Sequence, residues 1–318
     1  MTMLTIPKTP RTLPLQRAGE PWTRCNEAPR LTTTVPKEYV HRSSLAEVFL
    51  TGCDRIADDT YHLTGQWPRA HTFFTSADGT SHDPVQAGET VRQVGLYLCH
   101  AVYGVPLGHN VLLWSLDFDS RLDQLRIGRS PSDLDMFATC TEFAWRGNRF
   151  SGFLEVEICR DGEIAATGTA RFTCVAPATY RRLRGTRGEI GATCPLDRRP
   201  PIAPAAAGRL LPFDVVLADA DQPGRWLLSP DLGHPILFEH ANDHHPGMVL
   251  VEAARQAACG LHRPGAFTPS AMSTEFLHYA ELDTPCWIEA TALSSTEVEV
   301  TGHQEGNTIF RSKVTTTP

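Results

Sequence analysis

The strongest constraint on this chain is a pattern that occurs twice. Residues 82–93 read H-D-P-V-Q-A-G-E-T-V-R-Q and residues 245–256 read H-P-G-M-V-L-V-E-A-A-R-Q. His82, Glu89, Arg92 and Gln93 therefore return as His245, Glu252, Arg255 and Gln256 at a constant offset of 163. That is about half of the 318 residues, and the whole is about twice an ordinary domain length, so the repeat implies two copies of one unit in tandem.

Each copy of the pattern reads as the start of a buried helix. Proline suits a first helical turn, where its missing N–H removes a donor that had no partner, and Asp83 or Asp243 stands close enough to cap. From Pro246 to Leu261 the residues are apolar nearly all round, as expected of a helix covered on most sides. Pro84 to Tyr103 is its longer counterpart. After each helix the period changes from 3.6 to 2. Leu154, Val156 and Ile158 alternate with Glu155 and Glu157, turn at Asp161-Gly162 and return through Phe172, which predicts a hairpin. Trp287 to Val300, a turn at Glu305-Gly306-Asn307 and a strand over Thr308–Val314 predict the same in the second half. Strands are also expected upstream of each helix, within Glu47–Trp67 and Phe213–Leu228. An antiparallel sheet with one helix in its hollow is the hotdog arrangement. The expected fold is α+β, a double hotdog: two antiparallel sheets, each wrapped around a central helix, in one chain.

Composition supplies the boundaries. Proline, threonine and arginine dominate the start, predicting an extended arm over residues 1–36, and a second proline- and arginine-rich stretch predicts a linker over 178–211. Hotdog domains are expected over 37–177 and 212–318. Hydrophobic residues make up 41%, enough for two cores, which excludes disorder for the bulk of the chain. A formal charge of −7 argues against a nucleic-acid partner bound by phosphate neutralisation. There is no apolar run of the about 20 residues a membrane span needs, and Met1–Pro36 lacks the apolar core of a secretory signal, so a cytoplasmic protein with no membrane partner is expected. The nine cysteines are odd in number, scattered and never in C-x-x-C, which reads as reduced thiols.

A glutamate and an arginine inside an apolar helix need a reason, because an unpaired buried charge is costly. Glu89 and Arg92, like Glu252 and Arg255, are three apart and share a helix face. One reading is an ion pair that anchors the helix. The other is a pair facing a cleft between the units, with glutamate as general base and arginine orienting it or holding an anion. The helix start at Gly247 and Met248 offers free N–H groups and the positive end of the helix dipole to a developing oxyanion or a thioester carbonyl. His82 and His245 either cap the helices or hydrogen-bond substrate.

These residues carry a resemblance. Pro246, Gly247, Glu252, Ala253 and Gln256 match the central-helix motif P-G-x-x-x-x-E-A-x-x-Q of hotdog 3-hydroxyacyl-carrier-protein dehydratases. The ordered pair of copies, with H-D-P and E-x-x-R-Q in the first, more closely resembles the A-factor biosynthesis hotdog family (AfsA type) from about Val35 onward. That resemblance implies an acyltransferase moving a 3-oxoacyl group from a thioester on acyl carrier protein or CoA to the hydroxyl of dihydroxyacetone phosphate. The ester leads to a γ-butyrolactone, butenolide or furan signal controlling antibiotic production. It implies Glu252, Arg255 and Glu89 as functionally required; together with the reading of the residues above, these are the expected catalytic groups, with Glu252 the first choice of general base, and Arg92, Gln93, Gln256, His82, His245, Gly247 and Met248 are the expected substrate contacts. No cofactor is implied, and further pairing into a homodimer is left open.

Other readings stay beside this one. Dehydratases place a histidine about fourteen residues before the helix glutamate, where this chain has Thr75 and Phe238; a dehydratase or thioesterase would need a neighbouring histidine instead. A non-catalytic acyl-binding module would need only the pocket. His240, His244 and His245 around Asp243 lack H-E-x-x-H or a cysteine partner, so no metal is expected. There is no G-x-S-x-G, and Cys259 sits in an apolar stretch, which favours direct transfer without an acyl-enzyme. The arginines from Arg181 to Arg209 read as a solvated linker or as a docking surface for an acidic carrier protein.

Overall fold

The computed structural model describes residues 33–190, 196–239, 242–262 and 267–317. In the first half, strands β1 (Leu50–Ala57) and β2 (Thr60–Trp67) form a hairpin ahead of helix α1 (Val85–Tyr97). Strands β3 (Asn110–Ser120), β4 (Ser132–Arg146), β5 (Arg149–Arg160) and β6 (Glu163–Val175) follow. Helices α2 (Pro177–Arg184) and α3 (Arg187–Ile190) lead on to β7 (Leu217–Asp219), β8 (Arg225–Leu228) and helix α4 (Gly247–Leu261). The chain closes with β9 (Pro269–Phe276), β10 (Trp287–Ala292), β11 (Glu297–Gln304) and β12 (Asn307–Thr316).

The strands lie in the order β1-β2-β4-β5-β6-β3-β9-β12-β11-β10-β8-β7, all neighbours antiparallel. Read outward from the β3–β9 seam, the two halves have the same topology, β1 standing for β7 and β6 for β12. The double hotdog is thus one continuous sheet of twelve strands. Its seam runs from Ser115 opposite Glu275 to Asp119 opposite Ala271, so backbone hydrogen bonds close the edge that each half would otherwise leave open.

Local sequence explains the elements. On β5, Leu154, Val156 and Ile158 are buried and Glu155 and Glu157 are exposed, the alternation of a strand with one covered face. α1 lies close enough to its sheet that a Cβ on Gly88 would sit 2.7 Å from the Phe118 ring, and one on Gly168 would sit 2.6 Å from Val91. The helical run expected to Tyr103 continues past α1 as a π turn over Leu98–Val102. Two expectations are corrected. Trp287–Val300 is not one strand: Ser294 accepts from the Thr296 N–H and Leu293 donates to Glu297, so a serine turn splits it into β10 and β11. Asp83 does cap α1, accepting the Val85 N–H at 2.9 Å, but Asp243 does not cap α4, because its carboxylate is taken by Arg184, Tyr180 and His244.

The arginine- and proline-rich stretch is partly built into the molecule. Pro177 opens α2, Pro204–Ala207 is a 3₁₀ turn against α4, and Arg184 and Arg209 are buried. Residues 1–32, with Cys25, lie outside the described residues, as do Cys194 and His240.

Candidate active site

Both repeated glutamates are fully buried and held by the same set of donors. Glu252 accepts from Arg209 Nε (2.8 Å) and Nη2 (2.6 Å), Arg255 Nε (2.9 Å) and Nη2 (2.7 Å), and Gln256 Nε2 (2.6 Å). Glu89 accepts from Arg42 Nε (3.1 Å), Arg92 Nε and Nη2 (both 2.8 Å) and Gln93 Nε2 (2.8 Å). Burial alone would raise both carboxyls. The guanidiniums outweigh it and hold each at about 2, so both are anions at any working pH. Gln93 and Gln256 each tie their helix to the edge of the unit: Gln93 to Glu47 and Phe49, Gln256 to Asp214 and Val216.

Arg42 and Arg209 were not found by reading the sequence. Each follows a 3₁₀ turn, Lys37–Val40 or Pro204–Ala207, and a left-handed residue, His41 (φ 54°) or Gly208 (φ 63°). Each binds the glutamate of its own half and crosses to the other. Arg42 Nη1 donates to the Ile236 carbonyl (2.9 Å) and to Glu239 (2.9 Å). Arg209 Nη1 donates to the Phe73 carbonyl (2.5 Å), lies 3.2 Å from Asp83, and its guanidinium stacks over the Phe73 ring. Phe73 and Ile236 are again 163 apart. The loops carrying those carbonyls are pinned by His71 and His234, whose Nδ1 atoms accept two backbone N–H groups each and whose Nε2 atoms meet Glu47 and Asp214. Two chemical staples therefore join the halves, related by the repeat.

A cavity of about 910 Å³ opens between the halves. Arg92 from α1 and Gly247 and Met248 from the start of α4 stand on its wall, with Arg42 and Glu239 beside them. Val91, Leu96, Val111, Leu113 and Phe172 give it an apolar side, and Tyr180, Arg181, Asp243 and His244 line it as well. No backbone acceptor among the described residues takes the N–H of Gly247 or Met248. Glu89 lies behind Arg92. Glu252, Arg255, Gln93, Gln256, His82 and His245 are not on this wall. Arg255 is sealed by the Ala207 carbonyl at 2.9 Å, leaving its side chain 5% exposed against 20% for Arg92.

The two repeated histidines are interior. His82 Nε2 is 3.0 Å from Ser132 Oγ, the ring packs on Trp67, and burial, with Arg160 nearby, lowers its pKa to about 4. His245 packs against Phe238, and burial lowers its pKa to about 3. At the positions where a dehydratase would place its histidine, Thr75 accepts the His71 N–H and Phe238 packs on the core. Among the described residues no three His, Cys, Asp or Glu side chains gather to hold a metal, and no helix is long and apolar enough to cross a membrane.

Two copies of a sheet curled around a central helix, with a cavity shared between them, define a double-hotdog protein. The chain belongs to the A-factor biosynthesis hotdog family, whose domain matches residues 23–176 and 193–316. It is 47% identical over 286 residues to a 2-oxo-3-(phosphooxy)propyl 3-oxoalkanoate synthase of Streptomyces virginiae, covering 88% of this chain and 96% of that one. A synthase of the same name from Streptomyces coelicolor is 39% identical over 291 residues, covering 90% and 92%. Among solved structures, an acyl-ACP thioesterase from Bacteroides thetaiotaomicron is similar at 12% identity and a TM-score of 0.49, over 80% of this chain and 97% of that one.

Proposed function

We infer that this chain is an acyltransferase that moves a 3-oxoacyl group from a thioester to the free hydroxyl of dihydroxyacetone phosphate. The product, a 2-oxo-3-(phosphooxy)propyl 3-oxoalkanoate, is the ester named for its relatives in Streptomyces. The observation that carries this reading is the cavity between the halves, where an apolar wall meets guanidinium groups. Val91, Leu96, Leu113 and Phe172 suit the acyl chain, and Arg92 suits a phosphate. The N–H groups at Gly247 and Met248 suit the oxyanion formed when the hydroxyl attacks the thioester carbonyl.

Within this proposal the glutamates act through the arginines. Glu89 is required because it aims Arg92 at the cavity. Glu252 and Arg255 are required because they seat α4, whose first turn forms the oxyanion site. A carboxylate held at about 2 behind five donor contacts is a poor proton acceptor, so Glu252 takes a positioning role instead of that of a base. The donor is carried on acyl carrier protein or CoA, and the exposed Arg181 and Arg182 at the start of the stretch after β6 are the surface offered to it. The protein works in the cytoplasm, and the ester feeds synthesis of a γ-butyrolactone-type signal.

The test is to incubate the protein with a 3-oxoacyl thioester, with and without dihydroxyacetone phosphate, and to follow products by mass spectrometry. A phosphorylated ester that forms only with both substrates is expected. Free 3-oxo acid or an unsaturated thioester as the sole product would overturn the reading in favour of a thioesterase or dehydratase.

A further inference from the structure

Acyl transfer to a hydroxyl needs a group that takes its proton, and neither repeated glutamate reaches the cavity. His244 does: it lines the wall three residues before Gly247, and its side chain is 25% exposed. Its Nδ1 lies 2.6 Å from Asp243 Oδ1. Asp243 is held in turn by Arg184 Nε (2.8 Å, to Oδ2) and by the Tyr180 hydroxyl (2.7 Å, to Oδ1). Burial would raise the Asp243 carboxyl, but these hydrogen bonds outweigh it and keep it well below the usual carboxylate range. An ionised carboxylate can only accept, so the proton of the neutral ring sits on Nδ1 and its lone pair is on Nε2. No protein group among the described residues hydrogen-bonds Nε2.

Arg184 also pairs with Glu281 at 2.7 Å, so one guanidinium is shared by two carboxylates, and the cluster of Asp243, Glu281 and Arg184 is one charge negative before His244 is counted. The Tyr279 ring stands edge-on to His244 at 4.8 Å, with Arg184 stacked over that same ring, which fixes the plane of the imidazole. The arrangement belongs to one half only: the residues 163 positions earlier are Thr80 and Ser81.

We propose that His244, oriented by Asp243, is the general base and then the general acid of the acyl transfer inferred above, on which this assignment rests. His244 Nε2 takes the proton of the acceptor hydroxyl as its oxygen bonds to the thioester carbonyl carbon. The tetrahedral oxyanion collapses with cleavage of the C–S bond, and the departing thiolate takes the proton back from Nε2, leaving the ester, the free thiol and a neutral ring. Nothing else is consumed. Asp243 is a positioning residue: it fixes the tautomer and stabilises the imidazolium.

The experiment compares wild type, His244→Gln, His244→Ala and Tyr180→Phe for ester formation from a 3-oxoacyl thioester and dihydroxyacetone phosphate, with binding of a non-transferable thioether donor analogue as the check on the fold. In His244→Gln, kcat should fall about 10²–10⁴-fold, with both KM values and analogue binding within about 3-fold of wild type. Added imidazole should restore at least about 10-fold of the loss in His244→Ala, a rescue that misfolding cannot produce. Tyr180→Phe, which leaves the dyad in place, should lose about 10-fold or less. A kcat for His244→Gln within about 3-fold of wild type overturns the assignment while the acyltransferase reading stands. Absence of ester with the wild-type protein overturns the reading itself, and the assignment with it.

Discussion

The Glu89 and Glu252 centres are built from the same parts and set in different surroundings. In each, a buried glutamate binds an arginine one turn along its helix, an arginine from a preceding 3₁₀ turn and a glutamine four residues on. Around Glu252 every guanidinium is enclosed: Arg255 meets Ala207, Arg209 meets Phe73, and Asp83 from the other half lies 3.2 Å from Arg209 and 4.0 Å from Arg255. Around Glu89, Arg92 opens onto the cavity and Arg42 has a second carboxylate in Glu239. A duplicated motif is thus an interior bolt in one copy and opens onto the cavity wall in the other. The bolt also secures α4, whose first turn at Gly247 and Met248 stands on the same cavity that Arg92 lines.

The bolt can be broken most sharply at its carboxylate. Glu252→Gln leaves two enclosed guanidiniums with Asp83 as their remaining carboxylate, and should cost about 3–5 kcal/mol in urea unfolding. Glu89→Gln leaves Arg42 paired to Glu239 and Arg92 partly solvated, so its cost should be smaller, about 1–3 kcal/mol. Equal losses would erase the distinction between the two centres.

Activity should sort the arginines the other way. Arg92→Ala should lower ester formation about 10²-fold in a protein whose stability drops by about 1–2 kcal/mol, because the group is on the cavity wall and partly exposed. Arg255→Ala should instead lose activity in step with its unfolding midpoint. An Arg92→Ala enzyme with full turnover would move the working surface elsewhere.

His82 and His245 test what the halves still share. Both are buried and neutral when folded, with pKa lowered to about 4 and about 3 from 6.5. As pH falls below 6.5 the unfolded chain binds these protons first, so stability present at neutral pH is lost on acidification, by about 2 kcal/mol for each ring between pH 7 and 5. Glu89 and Glu252, held near 2, stay ionised across that window. Urea midpoints at the two pH values should show the drop, reduced by about half in His82→Gln. A flat profile would mean that the rings are solvated.

The smallest effect is at the left-handed residue before each stapling arginine. Gly208→Ala places a Cβ at φ 63°, 3.2 Å from Arg255 Nη1, and should cost about 1–2 kcal/mol by thermal melting. Its counterpart His41 already tolerates φ 54°, so His41→Gly should relax that turn. A destabilised His41→Gly would show that its ring, 2.8 Å from His100, outweighs the backbone.

What could be read in the chain, and what could not, follows the same residues. Glu89, Arg92, Glu252 and Arg255 were legible because helix geometry locks residues three apart to one face, and both pairs close. Arg42 and Arg209 escaped because they stand 167 apart. The β1–β2 hairpin has two strands of eight residues where β7 and β8 have three and four, so a search at a constant offset passes over the match. The shared turn, a 3₁₀ segment and a left-handed residue before arginine, was the available signal. His244 was visible only as one of several histidines near Asp243, since nothing in a string of residues says which ring nitrogen faces a carboxylate.

The sequence by itself determined the duplication, the two buried helices, the alternating strands and the charge pairs on each helix, because these depend on periodicity and on contacts within a turn or a hairpin. Only the tertiary structure decided that β3 and β9 would fuse two sheets into one, that Arg42 and Arg209 would cross between halves, and that the cavity would open on Arg92 and not on Arg255. Those outcomes depend on which surfaces meet when the halves pack, and two copies with nearly the same local code differ there through neighbours such as Ala207, Asp83 and Glu239, which are distant in the chain.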